Sequence, residues 1–182
     1  APELFDEHMA TQFLTGMIAK TKSFRSANVT PKTLQVASAL MAKGARRDTI
    51  VDRLYRTRSV ETLRLWGRAL ARLKSDPERG LVWSVLSEQD FLHAGTSEEA
   101  LSGIVEELIS TSPAAKVAVL FYEDADRNTC AIVHATRPHD ALVLTMPFKP
   151  AGGYEEVRLY FPGRKLVEVE RQVIEHLKGK IN

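Results

Sequence analysis

The sequence has a single cysteine, Cys130, so no internal disulfide can form, and its place in an alternating apolar run reads as a buried, inert thiol. No stretch reaches the roughly 18 consecutive apolar residues that cross a bilayer. The amino end also lacks the charged, apolar, small-residue succession of a secretory signal. The chain is therefore expected to be cytoplasmic, with no membrane partner. Histidine is sparse: His8, His93, His134, His139 and His176 include no pair at helical ligand spacing. The nearest approach, His134-x-x-x-x-His139-Asp140, reads as a turn around Pro138. There is no Gly-x-x-x-x-Gly-Lys phosphate loop, no nucleophile elbow, no internal repeat and no low-complexity tract. The first residues, Ala1-Pro2-Glu3, carry no methionine and lead straight into an amphipathic helix, as in a segment of a longer protein.

What is present suits a folded protein. With 182 residues, 44% apolar and 26% charged, the chain can bury a core of one domain or two small ones. Its formal net charge of +2 is unevenly spread. Residues 1–80 hold 15 Lys and Arg against 8 Asp and Glu, net +7, and residues 81–182 hold 10 against 15, net −5. Ten of the front-half cations are arginines, among them Arg46, Arg47, Arg53, Arg56, Arg58, Arg64, Arg68 and Arg72. The guanidinium fork suits phosphate. Arg64, Arg68 and Arg72, four apart on one helix face, fit a solvated charged row equally well.

The apolar period divides the chain. Phe5, Met9, Phe13, Leu14, Met17 and Ile18 recur at helical spacing and predict a first helix over 6–19 with one broad packing face. Thr30-Pro31 starts a second helix, capped by the threonine and tolerant of proline in its first turn. That helix turns Leu34, Ala37, Leu40 and Met41 inward and stops at Gly44. A short helix with Ile50, Val51 and Leu54 leads to Ser59, the expected cap of a fourth. There Leu63, Trp66, Leu70 and Leu73 form an apolar seam, facing either the chain's own interior or a second copy in a homodimer. Residues 75–80 read as a turn. Beyond it the period becomes two, with strands expected at 81–85, 117–122, 129–133 and 157–161 and a hairpin loop at 124–128. Ser87 and Ser97 would cap two intervening helices, the second carrying Leu101, Ile104, Val105 and Leu108. Gly152-Gly153 marks a turn, and a last helix from about Lys165 carries Leu166, Val169, Val173, Ile174 and Leu177. Helices followed by a mixed, mostly antiparallel sheet make the fold class α+β.

The stretch Gly16-Met17-Ile18-Ala19-Lys20-Thr21-Lys22-Ser23-Phe24, with Asn28-Val29-Thr30-Pro31 after it, resembles the last motif of DHH-family phosphoesterases, in the branch of oligoribonucleases and pAp phosphatases. In that family the motif runs Gly-hydrophobic-hydrophobic-small-Asp-Thr-Gly-x-Phe, then Asn-Thr-Thr-Pro. Gly44-Ala45, Leu54-Tyr55, Arg58-Ser59 and Leu65-Trp66-Gly67-Arg68-Ala69-Leu70 add to the likeness, as do Val105-Glu106-Glu107-Leu108 and the strand Val117 to Phe121. It covers nearly the whole chain, most specifically residues 13–73. The resemblance implies a helical C-terminal part of the DHH domain over 1–58, a connecting helix and linker over 59–79, and a DHH-associated substrate domain over 80–182.

The resemblance implies a metal-dependent phosphoesterase, with manganese the cofactor of the full-length protein and none held by this chain. Lys20 stands where the family has its metal-binding Asp, and Lys22 replaces the glycine. An ammonium repels a divalent cation but binds phosphate. The Asp-His-His motif would lie in an N-terminal DHH portion preceding this chain. The chain alone, without metal ligands, is expected to be inactive. In the substrate domain the family's Gly-Gly-Gly-His loop corresponds to Pro150-Ala151-Gly152-Gly153-Tyr154, without the histidine. The expected partner is a nucleotide or short single-stranded oligonucleotide, held by Lys20, Lys22 and Arg25 near the old metal position and by His134, Arg137, Lys149, Gly152 and Gly153. The alternative is a family member that has lost catalysis and serves as a nucleotide-binding or regulatory protein.

Overall fold

The computed structural model describes residues 5–26, 28–55, 58–110, 112 and 114–181. Of the residues named above, Ala1, Pro2, Glu3, Arg56 and the side chains of Tyr55 and Leu108 lie outside that set. The chain divides into two compact units, Ala1–Arg58 and Ser59–Asn182.

The first unit is three helices: α1 (Glu7–Lys20), α2 (Pro31–Ala42) and α3 (Arg47–Tyr55). Asp6 caps α1, its Oδ1 accepting from Met9 N at 2.8 Å. Thr30 caps α2, accepting from Thr33 N at 3.2 Å, with Pro31 in the first turn. Gly44 follows α2 at φ +94°, a left-handed position natural to glycine. The core is narrower than the periodicity suggests: Ala10, Leu14, Ile18, Ala37, Leu40, Ala45 and Ile50 are buried. Phe5, Met9 and Phe13, expected inside, are exposed, and the Phe5 and Phe13 rings stack at 5.8 Å. Leu34 and Met41 are likewise exposed. The reason is size: alanines at 10 and 37 let the backbones approach, and the large side chains flank that contact instead of filling it.

The second unit opens with α4 (Val60–Ala71), capped by Ser59 Oγ accepting from Thr62 N. It continues through β1 (Lys74–Asp76), β2 (Leu81–Leu86), α5 (Glu88–Ala94), a 3-10 turn (Glu98–Leu101), α6 (Ile104–Ser110), β3 (Val117–Glu123), β4 (Thr129–Ala135), α7 (Ala141–Thr145), β5 (Ala151–Gly152), β6 (Glu156–Phe161) and α8 (Leu166–Lys178). The six strands form one sheet in the order β1-β2-β3-β4-β6-β5, parallel only between β2 and β3. The fold is α+β with a mixed, mostly antiparallel sheet. One face packs Leu120, Ile132 and Leu86 against α4, α5 and α6; the other packs Val119, Val133, Val157 and Leu159 against α7 and α8. Cys130 is buried on the first face, where desolvation pushes its thiol up to about 11, which keeps it protonated and unreactive.

Three expectations change here. Residues 74–76, read as part of a helix end and turn, form an edge strand on β2. The helix expected after Ser97 is broken at Gly103, φ +81°, into a 3-10 turn and α6. The α4 seam also turns out differently: Trp66 is buried and its Nε1 donates to Ala100 O at 2.7 Å, but the other buried positions are Leu65 and Ala69. Leu63, Leu70 and Leu73 are exposed. Ala69 is small enough for the sheet to come close, and its carbonyl accepts from Ser84 Oγ at 2.6 Å.

Candidate functional site

The segment after α1 is built on Thr21. Its hydroxyl, buried at the helix end, donates to Met17 O at 2.6 Å and accepts from Phe24 N at 3.1 Å. Thr21 O also receives the N–H groups of Arg25 and Ser26. The chain thereby closes on itself, and Lys22, Ser23 and Phe24 take φ of 49°, 59° and 64°. Three consecutive non-glycine residues in the left-handed region cost on the order of 1–2 kcal/mol each. Backbone strain of this kind concentrates at functional sites. Phe24 anchors the turn by packing against the helical core. The turn leaves Lys20, Lys22 and Arg25 exposed, with Arg25 Nε donating to Lys22 O at 3.1 Å. Lys20, the last residue of α1, is thus followed directly by the turn that carries Lys22 and Arg25. Thr21, which organises the turn, is missing from the expected site residues; its signal is the Thr of the motif that the sequence resembles.

The second group lies on the sheet. His134 on β4 is register partner of Glu156 on β6, and Gly152 on β5 is register partner of Val157. His134 is buried; its Nδ1 has no hydrogen-bond partner among the described residues and lies 3.8 Å from Glu156 Oε2. Gly152 has φ +147°, and a Cβ there would meet Glu156 O at 2.4 Å. Its glycine is therefore required by strand contact, whatever else it does. Gly153 N donates to Glu156 O at 2.8 Å. Arg137, just beyond β4, lies over the Tyr154 ring at 5.6 Å, and Tyr154 OH donates to Pro138 O at 3.2 Å. The structure thus joins His134, Gly152 and Gly153 through β6, and brings Arg137 to the residue after Gly153. Lys149 is exposed at φ 54°, and no side-chain bond ties it to this group among the described residues. Arg158, on the same face of β6 as Glu156, was missed. The inward alternation of Val157, Leu159 and Phe161 places it opposite them.

The arginine row on α4 serves neither solvent nor phosphate alone. Asp90 is 2% exposed and takes Arg72 Nη2 at 2.9 Å and Arg68 Nη1 at 3.3 Å, while its Oδ2 also bonds Arg72 Nη1. Burial alone would raise this carboxyl. The Arg72 fork and the Ser87 N–H and O–H outweigh that and hold it at about 2. Two of the three arginines therefore lock α4 to α5.

A divalent cation does not fit the residues present. In the motif that the sequence resembles, Lys20 stands where a metal-binding carboxylate is expected, and among the described residues no three His, Cys, Asp or Glu side chains gather as a metal site. No helix among them is long and apolar enough to cross a membrane.

The fold has known counterparts. An exopolyphosphatase-related protein from Bacteroides fragilis superimposes with TM-score 0.83 at 20% identity, over 96% of this chain and 52% of that one. The pGpG-specific phosphodiesterase PggH from Vibrio cholerae gives 0.52 at 16% identity, over 91% and 54%. The chain spans about half the length of these structures. No family model matches the chain. At these identities the likeness is one of fold. Among curated proteins, the bifunctional oligoribonuclease and PAP phosphatase NrnA of Thermus thermophilus is 40% identical over 63 residues, 35% of this chain and 19% of that protein.

Proposed function

We propose that this chain is the C-terminal portion of a divergent DHH phosphoesterase acting on nucleotides or short oligonucleotides, to which it contributes substrate binding. In this reading residues 1–58 are the end of the DHH domain, 59–79 the connecting helix and linker, and 80–182 the substrate domain. The observation that carries it is the left-handed turn holding Lys20, Lys22 and Arg25 at the family's motif. Exposed ammonium and guanidinium groups on a fixed loop bind phosphate oxygens with little ordering cost. The likeness to NrnA, named for oligoribonuclease and PAP phosphatase activity, supports the substrate class. His134, with an unpartnered Nδ1, together with Arg137, Lys149 and the backbone of Gly152 and Gly153, forms the second contact surface.

A second reading is favoured by Lys20 itself. A cation at the family's metal-binding position fits a protein that binds nucleotides without hydrolysing them and acts as a regulator. The two readings separate on the full-length protein incubated with a short 5′-phosphorylated RNA and manganese. Release of nucleoside monophosphate supports the enzyme; tight binding with no release supports the regulator. Failure to bind at all contradicts both.

A further inference from the structure

We propose that the groove between α1 and α3 is a separate binding site for a nucleoside monophosphate. It is a cavity of about 280 Å³, near the roughly 300 Å³ lower end of small-ligand sites, room for a base and one phosphate. α1 contributes His8 and Gln12, one turn apart on one face; α3 contributes Thr49 and Arg53, with Arg46 at its entry. These residues lie outside both basic groups described above.

The two guanidiniums of the groove are differently engaged. Arg46 Nε meets Glu7 Oε1 at 3.3 Å, with side chains 65% and 58% exposed, a solvated pair that contributes little. Among the described residues no carboxylate pairs with Arg53. Gln12 Nε2 donates to His8 Nε2 at 3.0 Å, an arrangement that puts the imidazole proton on Nδ1 and leaves Gln12 Oε1 as an acceptor. Thr11 and Thr15 spend their hydroxyl protons on Glu7 O and Thr11 O. Among the described residues the Thr49 hydroxyl makes no such bond.

Two guanidinium forks beside a hydroxyl match the three oxygens of a terminal phosphate. The remaining wall is apolar: Ile50, buried, and Leu54 line the same cavity. Carbon surface of that kind takes the face of a base, and the Gln12 acceptor is placed for an exocyclic amine or ribose hydroxyl. A bare phosphate uses only half of this lining. Binding here needs no hydrolysis and stands whether or not the phosphoesterase reading does.

The test is a titration of the ¹⁵N-labelled 182-residue chain with AMP and, separately, inorganic phosphate, followed by amide shifts. Saturable shifts at His8, Gln12, Thr49 and Ile50 are expected, with AMP binding tighter than phosphate. Arg53→Ala should weaken AMP roughly tenfold or more, the loss of a charged hydrogen bond, and Arg53→Lys should recover part of it. Thr49→Val gives a second, milder variant whose spectrum reports folding directly. Lys20→Ala and Arg137→Ala should leave these shifts in place. Shifts confined to residues 20–26 or 134–154, an affinity indifferent to Arg53→Ala, or phosphate binding as tightly as AMP overturns the assignment.

Discussion

At the scale of single residues, Lys22 and Asp90 show how differently two charged side chains can act. Lys22 occupies the left-handed region at φ 49°, where glycine is at ease and a Cβ is not. Lys22→Gly should therefore raise stability by about 1 kcal/mol, read as a higher thermal midpoint, while weakening phosphate binding through the lost ammonium. Asp90 is the opposite case, a buried carboxylate held by Arg68 and Arg72. Asp90→Ala removes the acceptor of Arg68, Arg72 and the Ser87 amide, and because both guanidiniums are half-exposed and can turn to solvent, it should cost about 1.5–3 kcal/mol in a urea titration. Because its folded pKa of about 2 lies below the usual carboxylate value, the stability it supplies is complete above pH of about 4. It is lost as pH falls through about 2, and amounts to roughly 2 kcal/mol. Acid unfolding of the native chain should show that loss, and the Asp90→Asn variant should not.

At the scale of elements, the edge of the sheet beside β6 rests on one glycine. Gly152→Ala places a methyl 2.4 Å from Glu156 O, so β5 must peel from β6, and a cost of about 2 kcal/mol or more follows. Hydrogen exchange at Arg158 and Val157 would report it. Long elements with a clean period were legible in the sequence: α2 between Thr30 and Gly44, β3 and β4 around their hairpin, and α8 with its Val169, Val173, Ile174 and Leu177 stripe. Others were not. Lys74-Ser75-Asp76 is polar and becomes a strand only because β2 offers its edge. On α4 the large residues Leu63, Leu70 and Leu73 suggested a seam, but contact distance is set by Ala69, and size outweighed hydropathy in choosing the buried face. The basic loop was legible only through the resemblance of its motif; neither lysine nor serine announces a left-handed backbone. The Arg68 and Arg72 clamp escaped notice because its partner, Asp90, is far along the chain.

At the scale of the whole molecule, the exposed leucines of α4 bear on assembly. If two copies pair as a homodimer through Leu63, Leu70 and Leu73, the double variant Leu63→Glu with Leu70→Glu should halve the mass seen by light scattering without unfolding the chain. A native mass of one chain removes the pairing. The uneven charge has its own consequence: binding of a short single strand to the basic front half should weaken steeply with salt, by a slope of about 0.7 per phosphate neutralised. The most direct test of the central claim joins that dependence to the Lys20–Arg25 loop. Fluorescence anisotropy of a labelled, 5′-phosphorylated trinucleotide is measured with the native chain and with Lys20, Lys22 and Arg25 all changed to alanine. The expected result is salt-dependent binding to the native chain, at least tenfold weaker in the variant and with a shallower salt slope. Equal affinity and equal slope for the two proteins would contradict the account.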